Sequence, residues 1–338
     1  MTEEKKKRSG CFLVFVWLLG AGLVFSVLLN LGLMASLALT GEAIATRQNQ
    51  PVDEFPYFEE QWSYGDGETV VARIPLQGPI MREAPTGFLM PGEDPVELVL
   101  QQIRAARKDE AIRAILLEVD SPGGAVTPTD EIYHALRLFR ESREDRRVMV
   151  FSRDVIASGA YYAAMAGDWL MVEPTSLVGS IGVLIQTLNW HELTDRLGVS
   201  DTTIKSGENK DILNPFRPVS TEETDILQDV VDALHGRFVD IVKEGRGFDD
   251  ETIAQLADGR VYMADKALRV NLVDEIGYFD DAVQRLAEML EVENVRIIRY
   301  QRRPDFWSLL TSVKTPDPLG INALKTWDHP RAMFIWNP

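Results

Sequence analysis

Residues 114–124, Ala-Ile-Leu-Leu-Glu-Val-Asp-Ser-Pro-Gly-Gly, decide the fold. Ala114–Val119 is a short apolar run of the kind that forms a buried strand. Asp120-Ser121-Pro122-Gly123-Gly124 then supplies turn chemistry. Ile132, Ala135, Leu136 and Phe139 follow on one helical face. Strand, glycine turn and helix in that order form one unit of an α/β domain.

The pattern repeats on either side. Val70–Leu76, Val148–Phe151, Trp169–Val172 and Val183–Ile185 also read as strands. Val96, Val99, Leu100 and Ile103 share a helical face, opened by Asp94 as N-cap and Pro95 in the first turn. Beyond residue 210 the chain reads as helical. Ser220 and Glu223 form a capping-box signal before Leu227, Val231, Leu234, Phe238 and Ile241. Two shorter helices are expected near Asp249–Ala257 and Asp280–Leu290. The whole predicts an α/β domain with mostly parallel strands, large enough for a single core.

The N-terminus reads differently. Lys5, Lys6, Lys7 and Arg8 precede a run from Cys11 to Leu39 in which only Ser26, Asn30 and Ser36 add side-chain polarity. That is longer than the ~20 apolar residues a membrane span needs. The basic cluster keeps residues 1–10 in the cytoplasm and sends the rest out. Ala43-Ile44-Ala45 resembles a signal-peptide cleavage site, but a signal h-region is only ~7–15 residues long, so the length favours a retained anchor. The expected division is therefore 1–10 cytoplasmic, 11–39 transmembrane, 40–68 linker, 69–299 folded domain and 300–338 C-terminal tail. The apolar end of that tail, Met333-Phe334-Ile335-Trp336, is suited to docking.

A net charge of −17 argues against nucleic acid as a partner. Cys11 is the single cysteine, at the edge of the apolar run. This excludes an intrachain disulfide, and the folded domain holds no cysteine nucleophile or thiolate cluster.

Three segments carry candidate chemistry. The glycines of Asp120–Gly124 can aim backbone N–H groups into a cleft to hold an oxyanion, although a plain turn uses the same residues. Ala157-Ser158-Gly159-Ala160-Tyr161-Tyr162 places a serine where a helix begins. Ser158 reads equally as an N-cap, and Ile156 and Ala160 at the outer positions fail the G-x-S-x-G elbow pattern. A serine nucleophile needs a base. His134, His191, His235 and His329 all read as packing or surface residues. Lys210, in Ser206-Gly207-Glu208-Asn209-Lys210-Asp211, is the remaining candidate, against its ordinary reading as a solvated charge. A lysine acts as base only when neutral. Lowering an amine from about 10.4 to ~7 costs on the order of 4–5 kcal/mol, and Asp211 must then point away.

Taken together, these motifs resemble the signal peptide peptidase A family of the Clp-protease/crotonase superfamily. The resemblance extends through Gly179-Ser180-Ile181-Gly182-Val183, Asp258-Gly259-Arg260-Val261-Tyr262 and Asn271–Gly277, and covers roughly residues 70–290. It implies a Clp/crotonase-like fold of repeated β-β-α units. It also implies a Ser/Lys dyad: Ser158 as nucleophile, Lys210 as general base and Ser180 orienting the lysine. Gly124 and Gly159 would supply the oxyanion hole. Clp-type relatives place a histidine at about the spacing of Ser180, and its absence here fits the lysine variant. The short, single-domain form implies a homo-oligomeric ring whose dyad can be shared between subunits. The implied activity is a membrane-anchored serine endopeptidase acting outside the cytoplasm on cleaved signal peptides, with no metal or organic cofactor. A related peptidase processing particular membrane or exported proteins, a catalytically silent scaffold and an acyl-CoA enzyme are the alternatives.

Overall fold

The structure, a computed structural model, describes residues 17, 20, 22–32, 58–82, 94–302 and 332–335. The chain divides into two units, Met1–Phe55 and Pro56–Pro338. In the first, residues 22–32 are helical and exposed. Among the described residues no helix is long and apolar enough to cross a membrane. Most of the anchor expected over 11–39 lies outside the described residues.

The second unit is built on a nine-stranded sheet. Its main path runs β1 (Glu59–Tyr64), β11 (Val295–Gln301), β2 (Thr69–Gln77), β3 (Ile112–Ser121), β5 (Arg147–Ala157), β6 (Trp169–Val172) and β10 (Glu275–Ile276). All neighbours on this path are parallel except β1 with β11. Two short strands leave it: β7 (Leu177–Gly179) pairs with β5, and β9 (Val261–Met263) pairs antiparallel with β7.

The sheet is covered on both faces, as parallel strands require. Alternation along β2 sends Val70, Ala72, Ile74 and Leu76 to one side and Val71 to the other. The first side packs against α1 (Pro95–Lys108), α2 (Val126–Glu141) and α3 (Gly159–Ala164). The second packs against α8 (Phe279–Met289) through Ala282, Leu286 and Ala287. Asp94 caps α1 by accepting from Val96 and Glu97, with Pro95 in the first turn. On the second face an ion pair is buried: Arg73 reaches the Glu118 carboxylate at 2.7 and 2.9 Å, and Arg153 adds a bond of 2.8 Å. Burial alone would raise Glu118, but these guanidinium hydrogen bonds outweigh it and hold the carboxylate below its usual range.

Four strand expectations correspond to β2, β3, β5 and β6, and Val183–Ile185 to β8 (Leu184–Ile185). The linker reading of 40–68 needs correcting, because residues 59–64 are an edge strand on β11. Most of β1 is exposed, so no buried alternation marks it. The folded unit also closes farther along the chain than expected. β12 (Ala332–Ile335) belongs to a second, three-stranded sheet of order β4 (Gly123–Ala125), β12, β8, antiparallel throughout.

Candidate active site

β5 changes partners along its length. Met149–Ser152 pair with β6, but Val155–Ala157 pair with β7. The sheet splays where β5 ends, and Ser158 sits at that divergence before α3. Its N–H is fixed to the Gly179 carbonyl at 2.7 Å, and its carbonyl accepts from Tyr162 at 2.9 Å.

Ser158 occupies the N-cap position but caps nothing. Its φ of 53° and ψ of −119° are unusual for a residue with a side chain and cost on the order of 1–3 kcal/mol. Ser158 as a residue is 1% exposed, and the acceptor its hydroxyl reaches, the Gly182 carbonyl, is at the long limit of 3.5 Å. A strained serine at a strand-to-helix turn is the geometry of a nucleophile elbow, reached here without the outer glycines the elbow motif requires.

β4 lies beside it. The Gly123 carbonyl and the Ala125 N–H are both bonded to Ile80, at 2.8 Å each. The Gly124 N–H between them therefore faces the opposite way. A Cβ on Gly124 would stand 2.1 Å from the Ile80 carbonyl oxygen, and one on Gly123 would stand 2.5 Å from the Gly159 nitrogen. Gly123 also has φ +93°, so neither position admits a side chain. Gly159 opens α3, where a first-turn N–H has no partner within its own helix. A Cβ on Gly159 would lie 3.2 Å from the Gly124 nitrogen. Ser158, Gly124 and Gly159 are thus brought together.

Ser180 is buried, with φ 52°, and donates its N–H to the Arg260 carbonyl at 2.8 Å. This gives the Asp258–Tyr262 motif a structural role, since its strand β9 carries the loop that grips Ser180. The Asn271–Gly277 motif works behind the nucleophile. The Leu272 carbonyl accepts from the Tyr161 hydroxyl at 2.7 Å, and Asp274 pairs with Arg246 at 2.9 Å.

Lys210 is placed differently. It lies on a single 3-10 turn (Glu208–Asp211), exposed, within an arm formed by residues 186–219. The arm carries α4 (His191–Leu197), which buries none of its residues. Asp211 is bound by Lys205 at 2.7 Å and by Arg217 at 2.9 and 3.1 Å. The Arg217 hydrogen bonds, then Lys205, hold Asp211 far below the usual carboxylate range. Arg217 also grips Glu223 and, with the Ser220 N–H, draws it down to about 2. With its acidic neighbour so engaged, Lys210 makes no side-chain hydrogen bond or ion pair among the described residues. In the single chain it meets neither Ser158 nor Ser180 by a hydrogen bond.

The histidines are otherwise occupied or lie elsewhere. The rings of His191 and His235 face the Phe216 and Ala257 carbonyls at 3.1 and 3.0 Å. His134 lies on α2 and His329 outside the described residues. No group of three or more His, Cys, Asp or Glu among the described residues could hold a metal ion.

Aromatic packing stands behind the site. Tyr162, three residues beyond Gly159, and Phe238 are both buried, with centroids 5.2 Å apart. The Tyr162 hydroxyl donates to Asp130 and accepts from Arg237 at 3.1 Å, which fixes the ring. Burial, then Asp130, pushes that hydroxyl well above the usual tyrosine range, so it stays protonated. Tyr162 could be noticed in the sequence as a neighbour of Ser158, whereas Phe238 arrives from a helix far along the chain.

Comparison with known proteins places these residues in context. The model of peptidase family S49 matches residues 140–293, which include Ser158, Ser180 and Lys210 but not Gly124. An Enterococcus faecium protein carrying the name signal peptide peptidase SppA is 32% identical over 243 residues, covering 72% of this chain and 70% of its own. A protein of Methanocaldococcus jannaschii named as a protease is 36% identical over 193 residues, 57% of this chain and 61% of its own length. Protease 4 of Salmonella typhi is 29% identical over 259 residues, 75% of this chain and 41% of its own. The match therefore spans about three fifths of the second relative and two fifths of the third.

Proposed function

Because the chain belongs to peptidase family S49, we propose that it is a membrane-anchored serine endopeptidase in which Ser158 and Lys210 form the catalytic dyad. The observation that carries the reading is Ser158 itself. It is buried, strained and uncapped, with the backbone N–H groups of Gly124 and Gly159 beside it. Such strain persists only where the surroundings enforce it, and it clusters at reacting groups.

In this mechanism neutral Lys210 takes the Ser158 proton as the oxygen adds to the scissile carbonyl carbon. The oxyanion is met by the N–H groups of Gly124 and Gly159. Protonated Lys210 then gives its proton to the leaving amine, and water hydrolyses the acyl-enzyme. Ser180 orients the lysine. Substrates are extended apolar peptides, of which signal peptides left in the membrane after cleavage are the natural class, and the apolar run at 11–39 holds the enzyme beside them.

Lys210 reaches Ser158 from a neighbouring subunit of a ring. The arm supports this, since Leu188, Trp190, Leu197, Val199 and Ile204 all stand exposed on it, Ile204 at 97%. A cluster of large exposed apolar side chains marks an interaction surface.

The test compares the full-length protein in detergent with its Ser158→Ala and Lys210→Ala forms on apolar peptides. The wild type should cleave and both variants should fail. Equal hydrolysis by all three would overturn the dyad.

A further inference from the structure

α2 begins at Val126, directly after β4, and Thr129 lies in its first turns. A threonine in a helix ordinarily turns its hydroxyl back to a carbonyl three or four residues earlier. Thr129 does not. The residue is fully buried, and its Oγ1 has no hydrogen-bond partner among the described residues. A buried hydroxyl left unpaired costs stability, and such groups are few in native proteins. One that is kept needs an acceptor that arrives during function.

The place of the hydroxyl identifies that acceptor. A Cβ on Gly159 would stand 2.7 Å from Thr129 Oγ1 and 3.2 Å from the Gly124 nitrogen. The hydroxyl and the Gly124 N–H group therefore border one point, against the residue whose own N–H opens α3. A peptide carbonyl can come to the same place, since the Phe334 oxygen of β12 stands 3.1 Å from that point. Oγ1 nevertheless makes no bond to it. A trigonal carbonyl thus leaves the hydroxyl idle. When a carbonyl carbon becomes tetrahedral, its oxygen leaves the former plane and takes on a full negative charge. It is then a much stronger acceptor.

We propose that Thr129 is a third oxyanion donor. Its Oγ1–H bonds the oxygen of the tetrahedral intermediate formed on Ser158, beside the N–H groups of Gly124 and Gly159, and makes no bond to the substrate before attack. The proposal rests on the Ser158 reading above. No covalent bond changes at Thr129. The hydroxyl keeps its proton, shares it with the oxyanion, and is released when the carbonyl re-forms and the amine leaves. A donor engaged only in the transition state raises kcat and leaves KM alone. The unpaired hydroxyl of the resting protein is relieved at the step that has to be accelerated.

Thr129→Val tests this, because a methyl group replaces the hydroxyl with little change of shape. A hydroxyl that held a structural bond would lose it, and the thermal midpoint would fall. With no such bond the midpoint should stay or rise. In full-length protein in detergent, kcat on an apolar peptide should fall roughly 10²-fold while KM stays within about twofold. A peptide aldehyde, whose adduct with Ser158 carries the same oxygen, should bind the variant more weakly by a similar factor. Thr129→Ser, which restores a hydroxyl, should recover most of both losses. Wild-type kcat and aldehyde affinity in Thr129→Val, beside an inactive Ser158→Ala, would overturn the role of Thr129 and leave the proposed function standing. A lowered midpoint, or a raised KM at unchanged kcat, would overturn it as well. A fully active Ser158→Ala would overturn both.

Discussion

The two halves of the candidate dyad sit in opposite surroundings. Ser158 is enclosed by β5, β7 and α3, its backbone forced into a rare conformation and its neighbours packed to contact. Lys210 stands on an exposed turn of an arm whose helix α4 buries nothing. One half is finished by the fold of a single chain. The other is prepared but uncompleted: Asp211 is drawn off by Lys205 and Arg217, which leaves the lysine without a counter-ion among the described residues. A lysine must lose its proton to act as a base, and burial away from carboxylates favours the neutral form. The arm removes the carboxylate, and in the proposed ring a neighbouring subunit supplies the burial.

The largest expected effect lies in the finished half. Ser158→Ala should reduce peptide hydrolysis by on the order of 10⁴-fold or more, with an unchanged thermal midpoint. Measurable residual turnover near the wild-type rate would break the assignment. Gly124→Ala comes next. Its Cβ would stand 2.1 Å from the Ile80 carbonyl oxygen, so β4 must shift and the N–H it aims is displaced. A loss of roughly 10²–10³-fold in kcat is expected, with KM less affected, read by steady-state kinetics.

Paired substitutions then contrast scaffold with arm. Arg73→Met leaves Glu118 buried with a weakened partner set and should cost about 3 kcal/mol, measured by denaturant unfolding. Arg217→Met frees Asp211 to approach Lys210. It should lower activity sharply, with a smaller loss of stability from Glu223, which is buried and keeps only its Ser220 hydrogen bond. The reverse pattern would show that the arm is a structural element and not a catalytic one.

The smallest effects are in pH. On the acid side, Asp211 and Glu223 are depressed in the folded arm. Their contribution is complete above the unfolded carboxylate values near 4. It fades as pH falls toward about 2, where Glu223 titrates. Limited proteolysis should therefore find the arm intact at pH 5 and opened only in strong acid.

Much of the scaffold was legible because it obeys simple periods. β2, β3, β5 and β6 are continuous apolar runs, and α1 and the long helix Thr221–Arg246 announce themselves by Asp94-Pro95 and by the Ser220/Glu223 box, which is formed. β7 and β9 have three residues each, too few for any period to register. β12 depends on pairing across the chain, which no local pattern encodes. At the site, candidate residues could be named from the sequence and their conformation could not. Ser158 read as a cap, yet its side chain caps nothing, and the elbow geometry arises from the change of β5 partners and not from flanking glycines. The Tyr162–Phe238 contact was hidden because a helix distant in sequence supplies half of it.

The central claim is that the serine and the lysine of one working site come from different chains. Co-expression of full-length Ser158→Ala and Lys210→Ala subunits tests it directly. Each variant alone is inactive, but in mixed assemblies about a quarter of the interfaces join an intact serine to an intact lysine, as a head-to-tail ring requires. Peptide hydrolysis should return to about that fraction of the wild-type rate. Mixed assemblies that form and remain as inactive as either parent would contradict the account.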